Sequence, residues 1–236
     1  MLMMYRELET LLHSRIATTA DLTLLQRTVS RPAEIIAQYD RLQPISETNL
    51  CATLRARYGD LEILSKLFLF ATEATSQLGI WCADHVWSLG LAEEKEARNA
   101  ERRVERLFLD EKETRPLSTL DAELARLRNA RSVVCQHEFR SPTVTSDCLS
   151  SKVLLLSNYL SLVFEKPTEA KCIVFVKRRL TARLLGDLFT RVGTAHVRVG
   201  ILIGTNAGEI GDINVSFRQQ VVTLMKFRKG ELNCLV

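Results

Sequence analysis

The run Lys171–Lys177, Lys-Cys-Ile-Val-Phe-Val-Lys, constrains the fold of this chain more than any other stretch. It is continuous rather than alternating in its apolar residues, which suits a strand buried on both faces of a parallel sheet. A basic cluster, Lys177-Arg178-Arg179, closes it, and helical spacing then takes over through Leu180, Leu184, Leu185 and Leu188. Two more strand-like runs follow, Val197–Ile203 and Leu232–Val236, each separated from the last by a helical pattern. Strand, helix, strand, helix, strand is the signature of an α/β fold, here a three-stranded parallel sheet (βαβαβ) with right-handed crossovers. Ligands of such sheets bind beyond the carboxyl ends of the strands, where the basic cluster lies.

The residues before that sheet read as helical. Tyr5, Leu8, Leu12 and Ile16 are spaced for an amphipathic helix, and Glu34–Asp40 reads as an extended connector that Pro44 ends. A helical block then spans residues 46–138. Asp60 is the expected N-cap of a helix presenting Leu61, Leu64, Phe68, Ala71, Thr75 and Leu78 on one face, widened by Leu67 and Phe70. Gly79 marks a break, with Trp81, Val86 and Trp87 beyond it. From Ala92 to Glu113 a narrow seam of Ala97, Ala100, Val104, Leu107 and Phe108 runs along a charged helix, in which Glu94 and Arg98 pair four apart. Pro116 stops that helix. Ser118 with Asp121 reads as a capping box for the next, which buries Leu120, Leu124, Leu127 and Val134.

Arg140–Asp147 has linker composition. After it, Ser151 is the expected cap of an apolar helix, Val153–Phe164, sandwiched against the sheet and closed by Pro167. The last helix opens at a Ser216/Gln219 capping box and ends in Lys226, Arg228, Lys229 and Gly230, where the helix dipole favours cations. The chain then stops inside a strand, at Val236. The expected domains are a connector (1–45), a helical insertion (46–140) and a partial sheet domain (148–236).

The formal net charge of +4 is unevenly spread. From Lys152 onward there are thirteen Lys/Arg against six Asp/Glu, and before it nineteen against twenty-two. That asymmetry points to a polyanion partner for the carboxyl-terminal part. The six cysteines are scattered singly, as in reduced, core-filling thiols, so a cytoplasmic or nuclear setting is expected. No window approaches the roughly 20 apolar residues of a membrane span.

Several constellations invite chemistry. Gly204-Thr205-Asn206-Ala207-Gly208-Glu209-Ile210-Gly211 joins a strand to a helix, and its amides are suited to a phosphate. It is neither a P-loop nor a dinucleotide fingerprint, so a small-molecule enzyme built on it is the least favoured reading. Lys177, Arg178 and Arg179, with Arg218 and Lys226 on the same half-sheet, suit a nucleic-acid backbone. Cys82-x-x-His85 and Cys135-x-His137 raise zinc, but residues two apart on a helix point to nearly opposite sides, so no metal site is expected. No catalytic arrangement stands out.

Taken together, Cys172–Arg179 with Leu180-Thr181-Ala182-Arg183-Leu184-Leu185 resembles motif IV of the second RecA-like domain in superfamily-two helicases of the Dicer branch. Val197–Asn206 is similar to the next strand and its RNA-facing loop, and Phe217–Val236 resembles the lead-in to motif V. Trp81-Cys82-Ala83-Asp84 and Leu120–Ala125 resemble the helical insertion of those helicases. The resemblance is to fungal Dicer-like proteins, of the second type, and covers nearly the whole chain but a slice of such a protein. It implies a parent that binds double-stranded RNA, hydrolyses ATP with magnesium and dices RNA with ribonuclease III domains in silencing and antiviral defence. It further implies RNA contacts through Lys177, Arg178 and Arg179, the Gly204-Thr205-Asn206 turn, and Gln219 and Gln220. The phosphate loop, the magnesium motif, motif VI and the ribonuclease III domains are absent, so no ATP hydrolysis is expected of this chain alone. The alternative is a non-catalytic module whose helical block docks a double-stranded-RNA-binding protein.

Overall fold

A computed structural model of the chain describes residues 19–28, 34–42, 44–110, 117–166, 169–193, 196–203 and 216–236. The expected helix through Tyr5 and Ile16, Pro167, and the loop from Gly204 to Gly211 lie outside them. The chain divides into two units, Met1–Gln38 and Tyr39–Val236. In the first, helix α1 (Thr19–Thr28) carries Asp21 in its first turn and Arg27 in its last, each where the dipole favours it.

The second unit begins as irregular chain pinned by polar contacts. Thr75 Oγ1 donates to the Ser46 carbonyl at 2.8 Å and accepts from the Ser46 amide at 3.3 Å. Thr48 then caps helix α2 (Asn49–Tyr58), its hydroxyl accepting from the Cys51 amide at 3.2 Å. Helix α3 (Ser65–Gln77) follows a single 3₁₀ turn, Glu62–Leu64. Leu64, Leu67, Phe68, Ala71, Thr75 and Leu78 are all buried, so the expected stripe is present. Asp60 is not its cap. The 3₁₀ turn intervenes, and the Asp60 carboxylate instead accepts from Arg126 at 2.7 Å.

Gly79 makes the break, at φ +111°, and helix α4 (Ile80–Trp87) continues into a π turn, Ser88–Ala92. Trp81 and Trp87 are core residues, with Trp87 fully buried and edge-on to Phe68 at 4.8 Å. Helix α5 (Glu94–Asp110) buries Ala97, Ala100, Val104 and Phe108, and Glu94 pairs with Arg98 at 3.1 Å. Helix α6 (Leu117–Gln136) follows, with the side chain of Ser118 outside the described residues. It packs Leu124, Leu127, Ala130 and Val134 inward. Outward it presents Arg126, Arg128 and Arg131 to Asp60, Glu101 and Glu94.

The Arg140–Asp147 stretch has no regular structure, but it is pinned rather than free. Trp81 Nε1 donates to the Arg140 carbonyl at 2.9 Å, and the Trp81 amide to the Cys148 carbonyl at 3.3 Å. Ser150, one residue earlier than expected, caps helix α7 (Ser151–Val163) by accepting from the Val153 amide at 3.3 Å. That helix is not sandwiched. It buries Val153, Ser157 and Leu160, whereas Tyr159 and Leu162 are exposed, Leu162 by 72%.

The three apolar runs do lie side by side and parallel, as β1 (Cys172–Ile173), β2 (Val199–Gly200) and β3 (Cys234–Leu235). Their order is β1-β3-β2. Cys234 stands opposite both Cys172 and Val199, and Leu235 opposite Ile173 and Gly200. The run Lys171–Lys177 is therefore an edge strand, not the centre, and it is not buried on both faces. Ile173 and Phe175 are exposed by 53% and 89%, while Cys172, Val174 and Val176 are half-buried. Helix α8 (Arg179–Val192) and helix α9 (Phe217–Lys229) lie on opposite faces of the sheet. A Cβ on Gly186 of α8 would collide with Ile201, whereas one on Gly200 would meet Thr223 of α9 at 3.0 Å. Residues 200 and 201 point to opposite faces of their strand. Helix α9 has no buried residue, whereas α8 buries Leu180, Leu184, Leu185, Leu188 and Phe189. One core runs from Leu54 and Trp87 through Phe164 to Leu188, Cys234 and Val236, so helices and sheet share it. No helix among the described residues is long and apolar enough to cross a membrane.

Candidate nucleic-acid interface

The carboxyl end of β1 leads through Val174–Lys177 straight into α8, whose N-cap, Arg178, has extended backbone and makes no side-chain cap. The first-turn amides of α8 and the positive end of its dipole thus sit beside three cations. Those cations differ. Lys177 is exposed and has no hydrogen-bond or charge partner among the described residues. Arg178 turns toward the helical block: its Nη2 lies 2.9 Å from Glu73 Oε2, and its guanidinium lies over the Phe70 ring at 4.8 Å. Arg179 is half-buried in the first turn of α8.

Gly204, Thr205 and Asn206 lie outside the described residues. Gln219 completes the expected capping box, its side-chain oxygen accepting from the Ser216 amide at 3.0 Å and its own amide donating to Ser216 Oγ at 3.2 Å. That leaves its side-chain NH₂ for a ligand. Gln220 is half-buried in the same first turn, and Arg218 is exposed. Because α9 runs back along the sheet, its start faces the same rim as Lys177.

Lys226 is not on the rim where its sequence pattern grouped it, but at the opposite end of the sheet. It lies in the last turn of α9, at the amino ends of the strands, where Lys171 Nζ donates to the Arg228 carbonyl at 3.0 Å. There Arg198 donates to the Gly230 and Glu231 carbonyls at 3.0 and 2.9 Å, satisfying the end of the helix.

A polar seam between α4 and α8 could not be found from the sequence. His85, buried and stacked on Trp81 at 4.6 Å, faces Asp187 Oδ2 at 3.5 Å, a polar contact longer than a good hydrogen bond. Arg183 reaches the same oxygen at 2.8 Å. Burial pushes the Asp187 carboxyl up, but His85 and Arg183 outweigh it and hold it below its ordinary value. Asp84, next to His85 in sequence, goes the other way: burial raises it, and Thr48, His137 at 3.9 Å and Arg140 offset only part of that. Cys82 is fully buried near Cys148, and burial raises its thiol, whereas Cys135 is exposed. Among the described residues no three His, Cys, Asp or Glu side chains converge as metal ligands.

No protein-family model matches the chain. Among curated proteins it is 44% identical over 230 residues to a Dicer-like protein 1 of Phaeosphaeria nodorum, covering 98% of the chain and 15% of that protein. It is 42% identical over 228 residues to a Dicer-like protein 1 of Aspergillus clavatus, covering 97% and 15%. With a Dicer-like protein 1 of Chaetomium globosum it shares 39% over 235 residues, covering 97% and 14%. These relatives carry the first-type name rather than the second type that the sequence suggested. The chain spans about 15% of the length of the curated relatives it matches. With identity of this order along nearly all of its residues, the chain belongs to the fungal Dicer-like protein family.

Proposed function

We propose that this chain supplies the helical insertion and the RNA-gripping half of the second RecA-like domain of a Dicer-like helicase. On this reading residues 46–140 are the insertion and residues 148–236 the partial RecA-like domain. Duplex RNA is the ligand, held by its phosphates and shape, as A-form helices are. The observation that carries the proposal is Lys177, exposed and unpartnered among the described residues, at a strand end beside an uncapped helix start. Arg218 and the Gln219 NH₂ face the same rim. ATP and magnesium belong to the parent protein's helicase activity, and its products to RNA silencing.

Binding of a duplex RNA of about 20 base pairs should weaken linearly in log–log terms as salt rises. Lys177→Ala should reduce that slope by about 1 and weaken binding at every sequence tested. Arg178→Ala should do less, because Glu73 already holds its guanidinium, and Glu73→Gln should tighten binding by freeing it. Anisotropy titrations in which Lys177→Ala binds as the parent chain does would sink the proposal.

The chain alone should release no phosphate from ATP above a blank, with or without duplex RNA. Its 236 residues hold no G-x-x-x-x-G-K-[ST] run to cradle the nucleotide. An RNA-stimulated rate would refute this.

One observation favours the protein-docking alternative. Leu107 and Leu109 of α5 are exposed by 39% and 52%, and Leu107 lines a pocket with Ile63, Val104 and Arg126. Capture of a double-stranded-RNA-binding protein that Leu109→Asp abolishes, with no RNA binding by the chain, would favour it.

A further inference from the structure

Two of the six cysteines meet across the sheet. Cys172 on β1 and Cys234 on β3 are register partners in adjacent parallel strands, so their side chains leave the same face. Adjacent strands are about 4.8 Å apart, inside the Cα separation of roughly 4.4–6.8 Å that a disulfide bridges. Cys234 is fully buried, and Cys172, on the edge strand, is half-buried. No third metal-ligating side chain joins them among the described residues, so a thiol pair is what remains. We propose that Cys172 and Cys234 form a reversible dithiol–disulfide pair whose oxidant is a hydroperoxide.

The two thiols are unequal in the way this chemistry needs. A hydrogen bond from the Cys234 thiol lowers Cys172 below its ordinary value, against some opposing burial, while the same contact and burial raise Cys234. Cys172, the more exposed of the two and on the edge strand, is the attacking thiolate, and buried Cys234 the resolving thiol. The Cys172 sulfur attacks one oxygen of hydrogen peroxide and the O–O bond breaks. The departing hydroxide takes a proton to become water, leaving Cys172 as a sulfenic acid. Cys234 then attacks the Cys172 sulfur and the S–O bond breaks. The hydroxide released takes the Cys234 proton, giving a second water. Two thiols and one peroxide become one disulfide and two waters, with two electrons passing to the peroxide.

The bridge would staple the edge strand to the central one, five residues before Lys177. Side chains of in-register neighbours run side by side at about strand spacing, wider than the ~3.8 Å usual between bridged Cβ atoms, so the bond is strained and easily reduced.

The test uses the full chain, reduced, then exposed to a few equivalents of hydrogen peroxide, alkylated and cut with trypsin. The expected product is a cross-linked peptide joining Cys172–Lys177 to Gly230–Val236, lost on treatment with dithiothreitol. It should form roughly tenfold faster than exposed Cys135 is oxidised. Cys234→Ser should leave Cys172 as a sulfenic acid that dimedone traps, while Cys172→Ser should leave Cys234 alkylatable. The peptide map of the unaltered chain decides the matter even if a variant does not fold. Cys172 and Cys234 staying alkylatable while Cys135 reacts would overturn the proposal, as would Cys172 reaching the sulfinic acid with no cross-link to Cys234.

Discussion

Gly79→Ala is expected to cost about 2–4 kcal/mol of unfolding free energy, a large share of what a domain of this size holds in reserve. Two penalties coincide there. The backbone sits at φ +111° and ψ 169°, a region that residues with a Cβ pay about 1–3 kcal/mol to occupy. An added Cβ would also stand 2.5 Å from both the Cys148 carbonyl oxygen and Leu149 Cα, backbone atoms that no rotamer change can move. The Leu78–Trp81 corner and the Cys148–Ser150 segment exchange hydrogen bonds, Ser150 N to Leu78 O at 3.1 Å and Trp81 N to Cys148 O at 3.3 Å, so a shift at one breaks contacts at the other. Gly193→Ala provides the contrast. Its φ is +64°, but nothing lies within 4 Å of its missing Cβ, and its cost should stay near 1 kcal/mol. Urea titrations that rank the two alanines equally would show that the close approach at residue 79 carries no weight.

Trp87→Ala should cost more, about 3–5 kcal/mol, since it removes the largest fully buried side chain. Phe68 would lose its edge-to-face partner at 4.8 Å. Among the described residues the indole N–H finds no oxygen or nitrogen acceptor and meets the Cys51 thiol, a weak one, so Trp87→Phe should cost markedly less than alanine. Because the core is continuous, the damage should reach the sheet. Amide exchange at Cys234 and Val236, whose N–H groups bond to Arg198 and Gly200, should accelerate along with that of α3. Exchange that rises in the helices while the strand amides keep their protection would mean that the two halves unfold separately.

What the sequence made legible was periodicity. The stripe on α3, the seam on α5 apart from the exposed Leu107, the glycine break at residue 79 and the capping box at Ser216 all follow from local spacing, and each is present. Three parallel strands were legible as three apolar runs separated by helical patterns. Strand order was not. An apolar run reads the same at an edge as at the centre, so Phe175 looked buried although only the Cys172 face of β1 is covered. The Asp60 cap failed because a partner sixty-six residues away, Arg126, outcompetes a local role. At the candidate site, the position of Lys177 at a strand end was foreseeable. The capture of Arg178 by Glu73 and Phe70 was not, because no signal along the chain ties residue 178 to residues a hundred positions earlier.

Gly186 and Asp187, consecutive residues of α8, belong to different neighbours: the first lies against Ile201 of the sheet, the second against His85 of the helices. Close-packed interiors deform little and pass strain along. A twist of the strands would therefore roll this helix like an axle and arrive at His85 as a sideways push. The shared axle makes the two layers one mechanical part.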